Sequence, residues 1–263
     1  MKGTPLLSIS NLSVNFGGLK ALSDVFIEVN PQEVVGLIGP NGAGKTTLFN
    51  AISGLVKPAS GTISLHDKNI SWPEPHRLAS LSIARTLQGV SLFSGLTVVE
   101  NVMMGADQHR KSNFFRDISG FSTRDEAQLK ERAMQALAWA GAHSLADKFP
   151  NQLTYPDSKR VALARALVLE PTLLLLDEPA AGLGQDDIDK LAAIIRQIKR
   201  KCAVLVVEHH VEFVSQISDK VYVLNFGKVI AHGTFDQVKK DPGVMAAYLG
   251  TSTQSQTSVL GGN

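Results

Sequence analysis

Residues 34–47 read VVGLIGPNGAGKTT, and this stretch decides the fold. Its first five residues form an apolar run without polar alternation, which is typical of a strand buried on both faces of a parallel sheet. The following GPNGAGKT, residues 39–46, satisfies the pattern G-x-x-x-x-G-K-[S/T] at the junction of a strand and a helix. Glycines in such a loop let successive backbone N–H groups and the helix N-terminus face phosphate groups. The predicted nucleotide-binding residues of the loop are Gly39, Pro40, Asn41, Gly42, Ala43, Gly44, Lys45, Thr46 and Thr47.

A second stretch, LLLLDE at residues 173–178, is a buried strand that ends in two acids. Strand ends line the ligand crevice in sheets of this kind. We predict that Asp177 and the hydroxyl of Thr46 hold Mg²⁺, that Glu178 polarises an attacking water as a base, and that Lys45 bridges the outer phosphates. The two stretches together imply a nucleoside triphosphate and magnesium.

The rest of the pattern alternates strands with helices, which indicates a doubly wound α/β core. A third buried run lies at residues 203–207, and helical periodicity covers residues 45–53, 158–169 and 187–201. Alternating patterns predict antiparallel strands over residues 6–16 and 22–29, joined by 62–65, and a hairpin around residues 225–227.

We predict one domain over residues 1–250. Its nucleotide-binding core, with the antiparallel β-subdomain, takes residues 1–100 and 160–250, and a helical subdomain takes residues 101–159. Within the latter, TRDE at residues 123–126 is a capping box. The tail from residue 251 to 263 has no charged residue and predicts disorder.

Composition excludes several classes of protein. One cysteine, Cys202, rules out an internal disulfide framework and favours a reducing cytosol. Lys and Arg total 26 against 24 for Asp and Glu, so a net charge of +2 disfavours nucleic acid as a partner. No stretch reaches the roughly 18 apolar residues that span a bilayer, so we expect any membrane role to come through a partner chain.

These landmarks, in this order, resemble the ATP-binding cassette (ABC) ATPases over nearly the whole chain. The resemblance implies that Phe16 stacks on adenine, although this residue also suits a strand core. It implies that Gln88, in ARTLQ at residues 84–88, contacts magnesium and water, and that His209 contacts the γ-phosphate. The cofactors implied are ATP and Mg²⁺.

A finer resemblance points to the ATPase subunits of branched-chain amino acid importers. The segments that carry it are FGGLKAL (16–22), PHRLASLSIARTLQ (75–88), LFSGLTVVENVMMG (92–105), LLLLDEPAAGL (173–183) and VMAAYLG (244–250). It implies a second ABC ATPase subunit, two transmembrane permease subunits and, indirectly, a substrate-binding protein. The expected location is the cytoplasmic face of the plasma membrane. The alternatives are a lipopolysaccharide-type exporter ATPase, a soluble ABC ATPase of DNA repair or translation, and a nucleotide-gated structural subunit.

Two motifs depart from the family pattern. The signature, usually LSGGQ, reads LTYPD at residues 153–157, and Gly184 stands where the family places an aspartate. In the family, the signature meets the nucleotide held by the other subunit. The residues implied in that role are Thr154, Tyr155, Pro156 and Asp157.

Proline removes a backbone donor and aspartate adds a negative charge, and both weaken phosphate capture, although Lys159 and Arg160 offer compensation. We therefore favour an asymmetric heterodimer over a homodimer. In it, this chain's own loop faces an intact partner signature.

Overall fold

The computed structural model describes residues 4–86, 90–109 and 122–254. The ten strands of these residues are β1 (Leu7–Phe16), β2 (Leu19–Val29), β3 (Val34–Ile38), β4 (Ser60–Leu65), β5 (Lys68–Ile70), β6 (Ile83–Arg85), β7 (Leu173–Asp177), β8 (Ala203–Val207), β9 (Lys220–Asn225) and β10 (Lys228–Gly233). Their α-helices are α1 (Lys45–Ile52), α2 (Val98–Met103), α3 (Ser122–Trp139), α4 (Tyr155–Leu167), α5 (Gln185–Ile198), α6 (Val211–Ile217), α7 (Phe235–Val238) and α8 (Pro242–Gln254).

The chain forms two compact units, one of Met1–Pro75 with Ala203–Asn263 and one of His76–Cys202. Two sheets build the first unit. The antiparallel sheet has the order β2-β1-β4-β5. The alternating sequence predicts β1, β2 and β4 as antiparallel strands, because each turns one apolar face inward, but it does not predict β5. The part of the other sheet that lies in this unit has the order β10-β9-β3-β8, in which β3 is parallel to both β8 and β9.

The central strands of this second sheet are fully buried. All five residues of β3 and all five of β8 are buried, so the two predictions of buried strands are confirmed. The predicted hairpin is also confirmed, with β9 and β10 antiparallel around a turn at Phe226 and Gly227. β3 leads directly into the phosphate loop and α1, which places the loop at the carboxyl end of a parallel strand.

The second unit holds the parallel pair β6 and β7 with helices α2 to α5. β7 is buried along its whole length, as predicted. Two elements of this unit were not predicted from the sequence. They are β6, which has only three residues, and α2, which begins at a capping box formed by Thr97 and Glu100.

Two predicted boundaries differ from those of the structure. α4 begins at Tyr155 and not at residue 158, because Thr154 caps the helix and a proline in the first turn is tolerated. α8 extends to Gln254, four residues into the segment predicted to be disordered. The remaining residues of that segment, 255–263, and the side chains of the predicted capping box at 123–125, lie outside the described residues.

Candidate nucleotide-binding site

The phosphate loop requires glycine at two positions. Gly39 has a φ of +153°, and a Cβ there would lie 2.1 Å from the carbonyl oxygen of Leu224. Gly44 has a φ of +103°, and its Cβ would lie 2.7 Å from the side chain of Leu22. An L side chain is strained at such φ values and has no space at either position. The backbone curl therefore depends on these glycines.

Lys45 begins α1 and turns back across the loop. Its Nζ donates hydrogen bonds to the carbonyl oxygens of Gly39 (2.7 Å) and Pro40 (2.9 Å), and the residue is 8% exposed. No side chain caps the N-terminus of α1, while Thr46 is exposed beside it. Backbone N–H groups at a helix start and a lysine ammonium are the donors that phosphate requires. The loop thus fits the phosphates of a nucleotide.

Two more elements of the first unit contact this loop. The N–H of Gly227, in the hairpin turn, donates to the carbonyl oxygen of Ala43 (2.9 Å). The hydroxyl of Tyr248, on α8, forms a hydrogen bond with the backbone of Gly39, and burial raises the pKa of this tyrosine. Tyr248 packs with Ile38 in one apolar cluster. The sequence does not predict this contact, although Tyr248 belongs to the subfamily segment VMAAYLG.

Phe16 ends β1 and is 50% exposed. Its ring is therefore not part of the core, which leaves it accessible to a ligand. The alternative of a buried core residue is wrong for this position.

The two histidines that follow β8 have different surroundings. The buried carboxylate of Glu208 accepts hydrogen bonds from the N–H groups of His209 (3.1 Å) and His210 (3.4 Å). His210 Nδ1 accepts from the N–H of Phe213 and so caps α6. The His209 side chain is 57% exposed. Of the two, His209 has the more exposed side chain.

In the second unit, Asp177 ends β7 and pairs with an arginine. Nη2 of Arg85 lies 3.0 Å from Oδ2 of Asp177, and the two side chains are only 12% and 4% exposed. Burial raises the pKa of Asp177, the charge and hydrogen bond of Arg85 oppose that rise, and the nearby Glu178 adds to it. Arg85 is not among the site residues predicted from the sequence, and its only signal there is its place three residues before Gln88.

Glu178 has a left-handed backbone, with a φ of +45°. Its carbonyl oxygen accepts hydrogen bonds from Nζ of Lys159 (3.3 Å) and from the N–H of Ala181 (3.2 Å). Lys159 also donates to the carbonyl oxygen of Pro179 (3.0 Å). A cavity of about 270 Å³ adjoins this turn, and Asp177, Glu178, Lys159 and Tyr155 line part of it.

At the start of α4, the side chains of the divergent signature form hydrogen bonds with one another. The hydroxyl of Thr154 donates to Oδ2 of Asp157 (2.8 Å), and the N–H of Asp157 donates back to that hydroxyl (3.3 Å). The guanidinium of Arg160 pairs with Oδ1 of Asp157. Burial raises the pKa of Asp157, but Thr154 and Arg160 outweigh it, so the net pKa is lowered. Arg160 therefore balances the charge of Asp157 within the chain, whereas Lys159 binds the backbone beyond β7.

The fit of magnesium rests on the donor chemistry. Thr46 and Asp177 offer a hydroxyl and a carboxylate oxygen, the hard ligands that Mg²⁺ prefers alongside phosphate oxygens and water. Within the described ranges, no three His, Cys, Asp or Glu side chains cluster as a metal site. Gln88, the third predicted contact, lies outside the described residues. The described helices include none that is long and apolar enough to cross a membrane.

A buried parallel strand, a glycine-dependent phosphate loop and a helix that begins with lysine define a P-loop nucleotide-binding protein. The family described as "ABC transporter" matches residues 22–181. The chain belongs to this family, as one of its ATP-binding and ATP-hydrolysing cassettes. A further family, described as "Branched-chain amino acid ATP-binding cassette transporter", matches residues 228–253.

Individual relatives cover almost the whole chain. It is 39% identical to the high-affinity branched-chain amino acid transport ATP-binding protein LivG of Escherichia coli (strain K12), over 94% of this chain and 98% of the relative. It is 34% identical to the lipopolysaccharide export system ATP-binding protein LptB of Haemophilus influenzae, over 93% and 95%. The ADP conformation of MJ1267, an ATP-binding cassette of an ABC transporter, superposes with a TM-score of 0.83 at 30% identity, over 94% of this chain and all of the other. The predicted fold class is thereby confirmed.

Proposed function

We propose that this chain powers an importer of branched-chain or related amino acids. The observation that carries the proposal is the similarity to LivG over 94% of the chain, joined to the separate match of residues 228–253 to a branched-chain amino acid cassette family. The second match matters because it covers the β10 to α8 region, outside the catalytic motifs that all cassettes share.

The site residues take the roles that the family resemblance implies. ATP is held by Phe16 and by the loop residues Gly39, Pro40, Asn41, Gly42, Ala43, Gly44, Lys45, Thr46 and Thr47. Magnesium, when bound through Thr46, Gln88 and Asp177, supplies positive charge at the outer phosphates. The accessible Phe16 ring and the donors of the phosphate loop support these roles.

Hydrolysis is the transfer of the γ-phosphoryl group to water. Glu178 accepts a proton from the attacking water, and Lys45 stabilises the negative charge that develops on the outer phosphates. His209 contacts the γ-phosphate, and its exposed imidazole is suited to that contact. In this proposal, Glu178 transfers the proton and Lys45 stabilises the charge.

The proposed assembly is a dimer of cassettes on two permease subunits, at the cytoplasmic face of the membrane. A binding protein delivers the substrate, and no nucleic acid is involved. Residues 1–250 act in it as one ATPase domain, with residues 101–159 as its helical subdomain.

The second cassette is a different chain, because this signature is altered. The Thr154 hydroxyl already donates to Asp157, and Pro156 has no N–H, so fewer donors remain for a phosphate on the partner. Hydrolysis therefore proceeds at this chain's own loop against an intact partner signature.

Magnesium-dependent ATP hydrolysis tests the enzyme directly. We expect low activity of the chain alone and high activity with its partner cassette, with Lys45→Ala as the blank. Glu178→Gln in this chain should abolish turnover of the mixed dimer. Near-normal turnover would refute the assignment of Glu178, and full activity of the chain alone would refute obligate asymmetry.

Export of lipopolysaccharide is the second candidate, and the 34% identity to LptB favours it. Uptake of radiolabelled leucine by cells that depend on this chain separates the two functions. Loss of uptake with Lys45→Ala supports import. Normal uptake together with a defect in the outer membrane would favour export.

A further inference from the structure

Lys159 contacts the main chain that carries Glu178. We propose that Lys159 is a positioning residue, which holds the catalytic carboxylate in place through the backbone of Glu178 and Pro179. The inference rests on the proposed function, in which Glu178 activates the attacking water. Lys159 itself touches neither the nucleotide nor the water in this role.

The backbone of Glu178 needs such support. A φ of +45° is uncommon for a residue with a side chain, and it persists only where surrounding contacts hold it. Lys159 supplies two of those contacts, at 3.3 Å to the Glu178 carbonyl and 3.0 Å to the Pro179 carbonyl. A charged donor strengthens both hydrogen bonds, particularly because Lys159 is only partly exposed to water. The direction of the Glu178 side chain follows from this backbone conformation.

The same contacts tie the turn after β7 to the signature end of α4. The Lys159 ammonium lies 5.4 Å from the centre of the Tyr155 ring, and the Tyr155 hydroxyl donates to the carbonyl oxygen of Ala181 (3.5 Å). A Cβ on Gly182 would lie 3.0 Å from the Tyr155 ring. Tyr155 and Lys159, both on α4, thus contact the segment 178–182.

The contacts of Tyr155 and Lys159 link the signature to the catalytic residue of the same chain. In the proposed dimer, the start of α4 meets the partner's nucleotide, whereas Glu178 serves this chain's own nucleotide. A displacement of α4 passes through Lys159 to Glu178. The signature therefore helps to set the catalytic geometry of its own chain, even where its sequence is poor at binding phosphate.

Steady-state kinetics of the full-length chain, in the complex in which it hydrolyses ATP, test the role. Lys159→Met keeps the length of the side chain and removes its donors. We expect kcat to fall by about tenfold or more while KM for MgATP changes by less than about twofold, because misplacement of a catalytic group lowers the rate of the chemical step. Lys159→Arg, which retains donors, should recover most of the loss. Lys190→Met, an exposed lysine on α5, is the matched control.

A double-variant comparison separates positioning from general damage. Single-turnover hydrolysis is measured for Glu178→Gln with and without Lys159→Met. If Lys159 acts through Glu178, the second change adds less than about twofold to the loss. A further tenfold loss would overturn the proposal, as would an unchanged kcat in Lys159→Met alone. If Glu178→Gln retains normal turnover, the proposed function fails instead.

Hydrogen exchange gives a readout without catalysis. The N–H groups of Ala181 and Leu183 donate to the carbonyl oxygens of Glu178 and Ala180. In the nucleotide-free chain, we expect these amides to exchange at least about fivefold faster in Lys159→Met than in Lys190→Met, with Lys159→Arg close to the parent. Equal exchange rates in all three variants would contradict the proposed positioning role of Lys159.

Discussion

Replacement of Arg85 by methionine measures what the buried ion pair with Asp177 contributes. At an effective dielectric constant of about 20, two unit charges 3 Å apart attract by about 5 kcal/mol, and the cost of removing both from water offsets part of this. Loss of one partner leaves a buried carboxylate without its cation, which costs about 3 kcal/mol. For a chain of this size that is a fall in Tm of about 6 °C.

The effect depends on pH. Burial raises the folded-state pKa of Asp177 above its ordinary value of 3.8, and removal of Arg85 raises it further. As the pH rises from 3.8 through the raised folded-state pKa, ionisation of Asp177 therefore lowers the free energy of unfolding. This loss is larger in Arg85→Met than in the parent. The difference in Tm between parent and Arg85→Met is largest at pH values where the Asp177 carboxyl is ionised. It becomes smaller as the pH falls and Asp177 takes up a proton.

Thermal unfolding at several pH values, by circular dichroism, provides the assay. Arg77→Met, an exposed arginine of the same unit, is the control and should change Tm by less than about 1 °C. In an Asp177→Asn background, Arg85→Met should cost at least about 2 kcal/mol less than in the parent. An equal cost in both backgrounds, or a difference that does not depend on pH, would refute the ion pair as its source.

Three further outcomes follow from single contacts. Burial raises the pKa of the Cys202 thiol to about 12, so an aromatic disulfide reagent at pH 8 should modify native chain at least about tenfold more slowly than chain in urea. Gly39→Ala should abolish ATP binding, measured with a fluorescent analogue, because its Cβ meets the Leu224 carbonyl, whereas Gly95→Ala has open space and should bind normally. Tyr248→Phe loses the hydrogen bond to Gly39 and should lower the free energy of unfolding by about 1 kcal/mol, with weaker ATP binding.

The sequence by itself determined the elements whose physics is local. The runs at residues 34–38, 173–176 and 203–207 contain no polar side chain, which is typical of strands that are covered on both faces. The phosphate loop is equally local, since its glycines and Lys45 act on the backbone within a few residues. The start of α4 was misplaced, because Thr154 as a cap competes with the breaking tendency of a proline two residues later.

Only the tertiary structure decided which side chains support the site. Arg85 and Asp177 are 92 residues apart in the chain, and Lys159 lies 19 residues before Glu178, so no periodicity connects them. Tyr248 reaches Gly39 from the other end of the chain. A buried carboxylate or a left-handed backbone has to be stabilised by some neighbour, but the sequence does not say which, because the partner is chosen by how the elements pack.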